Sequence, residues 1–309
     1  MSAVMKPLIR EIDSPPEIPA IKDRTHPEDD ETRRRVAVGV DAPAVAMVPG
    51  AWRSYALAAL PPLFGIAMLV LVWQIVSLGN SDFPSPASTF DEAVKVFSDP
   101  FYRKGPNDQG IGWNVLSSLQ RVALGFGLAA LAGIPLGFMI GRFKFMGGMF
   151  NPIISLLKPV SPLAWLPIGL LVFKAANPAA IWAIFICSIW PMIINTAVGV
   201  QRVPQDYMNV AKVLNLSEWT ILTRILLPSV LPYMLTGVRL AIGTAWLVIV
   251  AAEMLTGGVG IGFWVWDEWN NLNVPHIIIA IVVIGGVGLL LEQALVALAR
   301  AFTYEDVRH

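Results

Sequence analysis

The chain has 309 residues, 55% hydrophobic and 14% charged, with a mean hydropathy of +0.62. Soluble domains carry about 25% charged residues, so most of this chain belongs in lipid. A formal net charge of zero argues against nucleic-acid binding, and a single cysteine, Cys187, with His26, His276 and His309 far apart, leaves no intramolecular disulfide and no metal cluster.

Residues 1–52 are rich in Pro, Asp, Glu and Arg and lack apolar periodicity. They are expected to form a mostly disordered cytosolic tail, either a plain solvated one or one that docks a partner. The tail is too long and too acidic for a secretory signal. Residues 53–309 form the expected membrane domain. Spans of about 20 apolar residues cross a bilayer core, and about six are predicted: 56–78, 115–140, 151–173, 179–200, 230–255 and 276–298. The third contains Pro152, Pro159, Pro162 and Pro167, which predicts a kinked or two-piece element buried in the bundle. The fold class is all-α and polytopic.

Basic residues set the orientation. Arg33 to Arg35 and Arg53, Arg142 and Lys144, Arg202, Lys212 and Arg224, and Arg300 and Arg308 fall on one side of a six-span topology, which is then the cytosol. Both termini are expected there. Arg103, Lys104 and Lys174 are exceptions on the opposite side. In the first outer loop, Ser85 and Pro86 predict the start of an interfacial helix with Phe90, Val94 and Phe97 as its apolar stripe.

The most distinctive polar segment is residues 203–228. Val203, Tyr207, Val210, Ala211 and Leu214 recur at helical spacing, with Pro204 in the first turn. Asn215 suits the left-handed conformation that ends a helix, and Ser217 is placed to cap a second helix carrying Trp219, Leu222 and Leu226. Two short helices meeting at a bend predict a cytosolic knob offered to a soluble partner.

At this knob the sequence resembles the membrane subunits of ATP-binding-cassette (ABC) importers, whose cytosolic loop carries Glu-Ala-Ala, a glycine, and a terminal Ile-x-Leu-Pro. Asn209, Val210 and Ala211 stand for the first triplet, Asn215 for the glycine, and Ile225 to Pro228 for the ending. Lys158 to Pro167, Ser188 to Thr196 and Ala251 to Leu255 are similar to the nitrate, bicarbonate, cyanate, sulfonate and taurine group, and Val203 to Tyr207 with Gly257 to Asn270 to its nitrate and bicarbonate branch. The resemblance implies a type I importer permease fold, a homodimer with two ATPase subunits and an external solute-binding protein, and nitrate or nitrite as cargo, with bicarbonate, cyanate or a sulfonate as alternatives. It implies ATPase-coupling roles for Tyr207, Asn209, Val210, Ala211, Leu214, Asn215, Trp219, Ile225 and Pro228.

The chain has no phosphate-binding Gly-x-x-x-x-Gly-Lys-Ser/Thr loop, so no catalytic residue and no cofactor is expected and hydrolysis falls to another subunit. Ser188, Asn195, Thr196, Arg239, Thr244 and Trp246 are candidates for the translocation path, each with helix packing as its rival role. Ionisable residues at membrane depth need partners, and matching depths predict two structural ion pairs, Arg121 with Glu253 and Arg239 with Glu292. Trp264, Trp266, Asp267, Glu268 and Trp269 in an outer loop are expected either to form an aromatic belt or to dock the binding protein. A secondary transporter or channel would instead show ionisable relays within spans or paired broken helices.

Overall fold

The computed structural model describes residues 51–80 and 82–303. The tail up to residue 50, with His26 and Arg33 to Arg35, lies outside the described residues, as do Arg308, His309 and the side chains of Arg53 and Arg300.

Long apolar runs in lipid must satisfy their backbone groups internally, which selects helices. Chain order gives α1 (Ala51–Gly79), α2 (Pro86–Ser98), α3 (Ile111–Arg142), α4 (Lys144–Leu157), a 3₁₀ turn (Pro162–Trp165), α5 (Leu166–Phe173), α6 (Ala176–Gln201), α7 (Gln205–Val213), α8 (Glu218–Ile221), a π turn (Leu222–Leu226), α9 (Leu227–Thr256), α10 (Ile261–Asn270) and α11 (Val274–Thr303). Among the described residues, five helices are long and apolar enough to cross a membrane: α1, α3, α6, the rod from Glu218 through α9, and α11. The expected third span starts earlier, at Lys144, and is a broken element in which α4 and the Pro162–Phe173 segment meet at 98°. Pro159 and Pro162 explain the break, since neither has an N–H to continue a helix.

Among the described residues, those up to 66 and those from 67 onward fall into two compact units, and every site described below lies in the second. Its centre is α6, apolar on nearly all sides, as expected of a buried helix. Gly125, Ala129, Gly133, Gly137 and Gly141 recur every four residues along α3 and bring it against α6. A Cβ on Gly137 would sit 2.7 Å from Thr196 Cβ, and one on Gly141 2.6 Å from Val200 Cβ. Small residues at such crossings let backbones approach where lipid gives no hydrophobic drive. On another side of α6, Gly237 of α9 meets the Pro191 carbonyl in the same way.

The core follows the bundle in three stretches. Ile184, Trp246, Ile249, Ile261 and Trp264 pack one end, Met192, Ile193 and Ala241 the middle, and Val200, Met208, Ala211, Leu226 and Val230 the end that carries α7. Ser85 caps α2 by accepting from the Ser88 N–H at 3.2 Å. Phe90, Val94 and Phe97 are 68%, 57% and 52% exposed, so this stripe points away from the core while Ala93 and Val96 pack inward.

Candidate functional site: coupling knob, polar junction and membrane cavity

The knob is built by two caps. Helix α7 begins after Pro204, which stands one position before the first helical residue. At its end Asn215 takes φ +50°, its N–H donates to the Lys212 carbonyl at 3.0 Å, and the Leu216 N–H donates to the Ala211 carbonyl at 3.0 Å. These two bonds make a Schellman motif with asparagine where glycine is usual. Ser217 then caps the next helix by accepting from the Thr220 N–H at 3.2 Å.

Two expectations about the knob need correction. The second helix is not a short separate piece: from Glu218 a 39-residue rod runs on through α9. Pro228 has no N–H for the carbonyl four residues back, and the chain absorbs this by widening into the π turn, whose Leu227 N–H reaches Leu222. The expected apolar stripe is also two faces. Val203, Met208 and Ala211 are buried with Ile221 and Leu226, and Ile225 packs against them. Tyr207, Val210, Leu214 and Trp219 are 55%, 56%, 63% and 72% exposed, with Asn209 and Pro228 exposed beside them. On a helix Tyr207 and Val210 lie about 100° round from Met208 and Ala211, so one stripe could not bury both sets. The outward set is apolar surface with no cover among the described residues.

At the other end of the bundle a buried junction fixes the start of α10. The Gly260 N–H donates to Asn114 Oδ1 at 2.9 Å, the Ile261 N–H to Ser118 Oγ at 3.0 Å, and the Gly262 N–H to Glu253 Oε2 at 3.0 Å. Glu253 is 1% exposed. Arg121 Nη1 donates to Glu253 Oε1 at 2.6 Å, the Ser118 hydroxyl lies 2.8 Å from both carboxylate oxygens, and Arg121 Nε donates to Asn177 Oδ1 at 2.8 Å. Helix N-termini favour negative charge, so the carboxylate serves one cation and one helix end together. The glycines here are steric. A Cβ on Gly260 would fall 2.3 Å from the Glu253 carboxyl carbon, and one on Gly262 would fall 2.0 Å from the Val250 carbonyl oxygen.

Arg239 and Glu292 are also joined, through Arg239 Nε at 3.0 Å and a second contact from Nη2, and this pair is exposed on the chain. Of the outer tryptophans, Trp266 and Trp269 are exposed, with Asp267 between them. Trp264 is instead buried, stacked on His276 at 5.6 Å between ring centroids. Glu268 turns inward as well, with Oε1 3.1 Å from His276 Nδ1, and Glu92 Oε2 lies 3.9 Å from His276 Nε2. Lys95 donates to Glu92 at 2.7 Å, and that hydrogen bond holds the Glu92 carboxyl below its ordinary range. In the loop before α3, burial first and then Asp108 push the Tyr102 phenol up to about 12. This His276 cluster joins α2, α10 and α11, and nothing in the sequence spacing signals it.

A cavity of about 300 Å³ opens where the broken element meets α6 and α9. Its lining includes Lys158, Cys187, Trp190, Asn195, Leu240 and Thr244. Asn195 Nδ2 spends one hydrogen on the Pro191 carbonyl at 2.8 Å, and the Thr244 hydroxyl bonds the Ala241 carbonyl at 2.9 Å. Lys158 has no acidic partner among the described residues. Asn195 and Thr244 are thus brought together with a lysine that sequence reasoning had not placed in a path. A lysine immediately before a helix-breaking proline was the available signal. Ser188 and Thr196 are fully buried, Thr196 against Gly137, and Trp246 donates to the Ile284 carbonyl at 2.9 Å. Arg239 lies outside the cavity lining.

Long apolar helices, one broken element at a cavity and an uncovered knob define a polytopic transport permease. The fold is similar to chains of the MetNI methionine ABC transporter in inward-facing conformations, with TM-scores of 0.52 and 0.51, 15% identity, 61% of this chain and 94% of that chain covered. The chain belongs to the family described as the inner membrane component of binding-protein-dependent transport systems, which residues 133–304 match. It is 49% identical over 233 residues to the nitrate import permease protein NrtB of Synechocystis sp., covering 75% of this chain and 85% of the relative. It is 45% identical over 253 residues to the bicarbonate transport system permease protein CmpB of Synechocystis sp., covering 81% and 90%. The protein is therefore a multi-pass inner-membrane permease subunit of an ABC importer, in the nitrate and bicarbonate group.

Proposed function

We propose that this permease carries nitrate, or its close relative nitrite, inward across the membrane. The observation that carries the reading is the cavity at the broken element, where the Lys158 ammonium, without an acidic partner among the described residues, stands with Asn195 and Thr244 and no carboxylate is among the lining residues. A passing anion needs partners strong enough to replace water and weak enough to release it. One cation with the second amide N–H of Asn195 beside it meets that need for a small monovalent anion. The likeness to nitrate import permeases favours nitrate. The comparable likeness to bicarbonate permeases makes bicarbonate the second reading.

In this reading the knob faces the cytosol, on the side where Arg142, Lys144, Arg202, Lys212 and Arg224 gather. Two ATPase subunits cover Tyr207, Val210, Leu214 and Trp219, and the buried Ala211 and Ile225 transmit their movement to α9. A second copy of the permease completes the path, and a solute-binding protein docks outside on Trp266, Asp267 and Trp269. Residues 1–52 form a cytosolic tail ahead of the permease domain at 53–309. Hydrolysis belongs to the ATPase subunits and this chain contributes no catalytic group.

The test is reconstitution of the complex with its binding protein in vesicles, with ATP hydrolysis measured for each anion. Nitrate is expected to raise hydrolysis and to accumulate inside. A rise with bicarbonate or taurine and none with nitrate would overturn the assignment.

A further inference from the structure

At the end of the bundle that carries α7, a different cavity of about 400 Å³ lies between the end of α3, the first turn of α4, the end of α6 and the start of α7. Its polar lining is of one kind: Arg142, Lys144, Asn151, Gln201 and Gln205 bring cations and amides, and no carboxylate lines it. A water molecule takes about 30 Å³ of liquid volume, so an oxyanion fits with room for solvent. Gly148 leaves one part of the wall open, with no atom within 4 Å of where a Cβ would stand.

Arg142 is incompletely used. Its Nη2 lies 3.3 Å from both oxygens of Glu218, a carboxylate that is 76% exposed. Its Nε is buried and has no hydrogen-bond acceptor among the described residues. A buried donor without an acceptor carries an unrecovered desolvation cost, and a long contact to a mostly hydrated carboxylate is a weak partner. Guanidinium groups match planar and tetrahedral oxyanions with paired N–H donors.

We propose that this cavity binds an oxyanion between Arg142 and Lys144, and that the bound anion competes with Glu218 for the Arg142 guanidinium. Glu218 directly follows the Ser217 cap of the knob. Occupation therefore loosens the tie between the end of α3 and the knob, and a high anion level on that side slows the coupled cycle. The placement on the cytosolic side rests on the orientation proposed above, whereas the binding does not. The occupant is either a free small oxyanion or the phosphate of a lipid headgroup, which present the same chemistry.

The full chain, purified with its ATPase subunits in neutral detergent, is titrated with nitrate, sulfate and inorganic phosphate at constant ionic strength with chloride as balance, and the thermal midpoint is followed. At least one oxyanion is expected to raise the midpoint saturably. Arg142→Gln should weaken that binding at least tenfold, and Glu218→Gln, which frees Arg142, should tighten it severalfold. A merely structural Arg142–Glu218 pair would make both variants behave alike, and that result overturns the proposal. In a second arm the complex is placed in neutral lipid with and without phosphatidylglycerol. Loss of free-anion binding when that lipid is present, together with a lipid-induced rise of the midpoint that Arg142→Gln abolishes, assigns the site to lipid phosphate. No Arg142-dependent effect of any oxyanion or anionic lipid overturns the proposal, including the case in which Arg142→Gln only weakens ATPase retention. No binding protein is present, so the outcome is independent of which anion the importer carries.

Discussion

Glu253 and Lys158 show how single residues divide the work. Glu253 has every oxygen engaged by Arg121, Ser118 and the Gly262 N–H in a buried junction. Removing one member of a buried, hydrogen-bonded charge pair costs about 3–5 kcal/mol, because Arg121 would stay buried without its partner. Glu253→Ala is therefore expected to lower the thermal midpoint of the purified complex severely, and Glu253→Gln less so because it keeps an acceptor for the Gly262 N–H. Equal, small shifts in both would remove the structural role. Lys158 has the opposite character, exposed at a cavity and without an acidic partner among the described residues. Lys158→Gln should leave the midpoint in place and lower transport at least fivefold at limiting anion, with Lys158→Arg partly restoring it. Unchanged uptake in Lys158→Gln would take the lysine out of the path.

Among the elements, the knob and α10 depend on their geometry more than on their composition. Asn215 sits at φ +50° and donates its N–H to Lys212. Proline there fixes φ near −65° and removes the donor, whereas glycine accepts the same φ freely. Asn215→Pro should lower the amount of anion moved per ATP while the chain still inserts, and Asn215→Gly should match the parent. Normal coupling in the proline variant would sink the bent-knob mechanism. At the end of the bundle opposite the knob, α10 leaves Trp266, Asp267 and Trp269 exposed while Trp264 and Glu268 turn to His276. Asp267→Lys combined with Trp269→Ala is expected to weaken stimulation of ATP hydrolysis by the loaded binding protein without loss of bound ATPase. Glu268 is left intact in that test because its substitution would also disturb the His276 cluster.

At the scale of the molecule, α6 is the shared wall of the small-residue crossing and of both cavities. Its contact with α3 fixes the small-residue crossing, its contact with α9 frames the cavity, and its last turns lead into α7. A change at the knob can reach the cavity through this helix because packed interiors are poorly compressible. The outward apolar face of the knob is left uncovered among the described residues, in keeping with an importer assembled from several subunits, and the exposed flanks of the spans α3 and α11 suit lipid.

How much of this was legible beforehand follows from what kind of signal each feature leaves. The long helices, the broken element and the αL end of α7 leave local signals: runs of about 20 apolar residues, clustered prolines, and an asparagine after an amphipathic stretch. The small residues along α3 were equally visible in the sequence, spaced four apart, but what they face was not. Tertiary structure alone decided which of two adjacent helical faces at the knob is buried, because the answer depends on where α9 and the π turn place Leu226 and Ile221. It also decided that Trp264 is a core residue, and it brought Lys158 to Asn195 and Thr244, and Glu92 to His276. The sequence alone determined that the long apolar runs are helices and that the proline-rich one is broken, since backbone satisfaction in lipid is a local demand, whereas it left the stretch that forms α10 as a loop and the second knob helix as a short piece. Which side chains meet is set by contacts between residues far apart in the chain, and the spacing of residues along one helix carries no record of them.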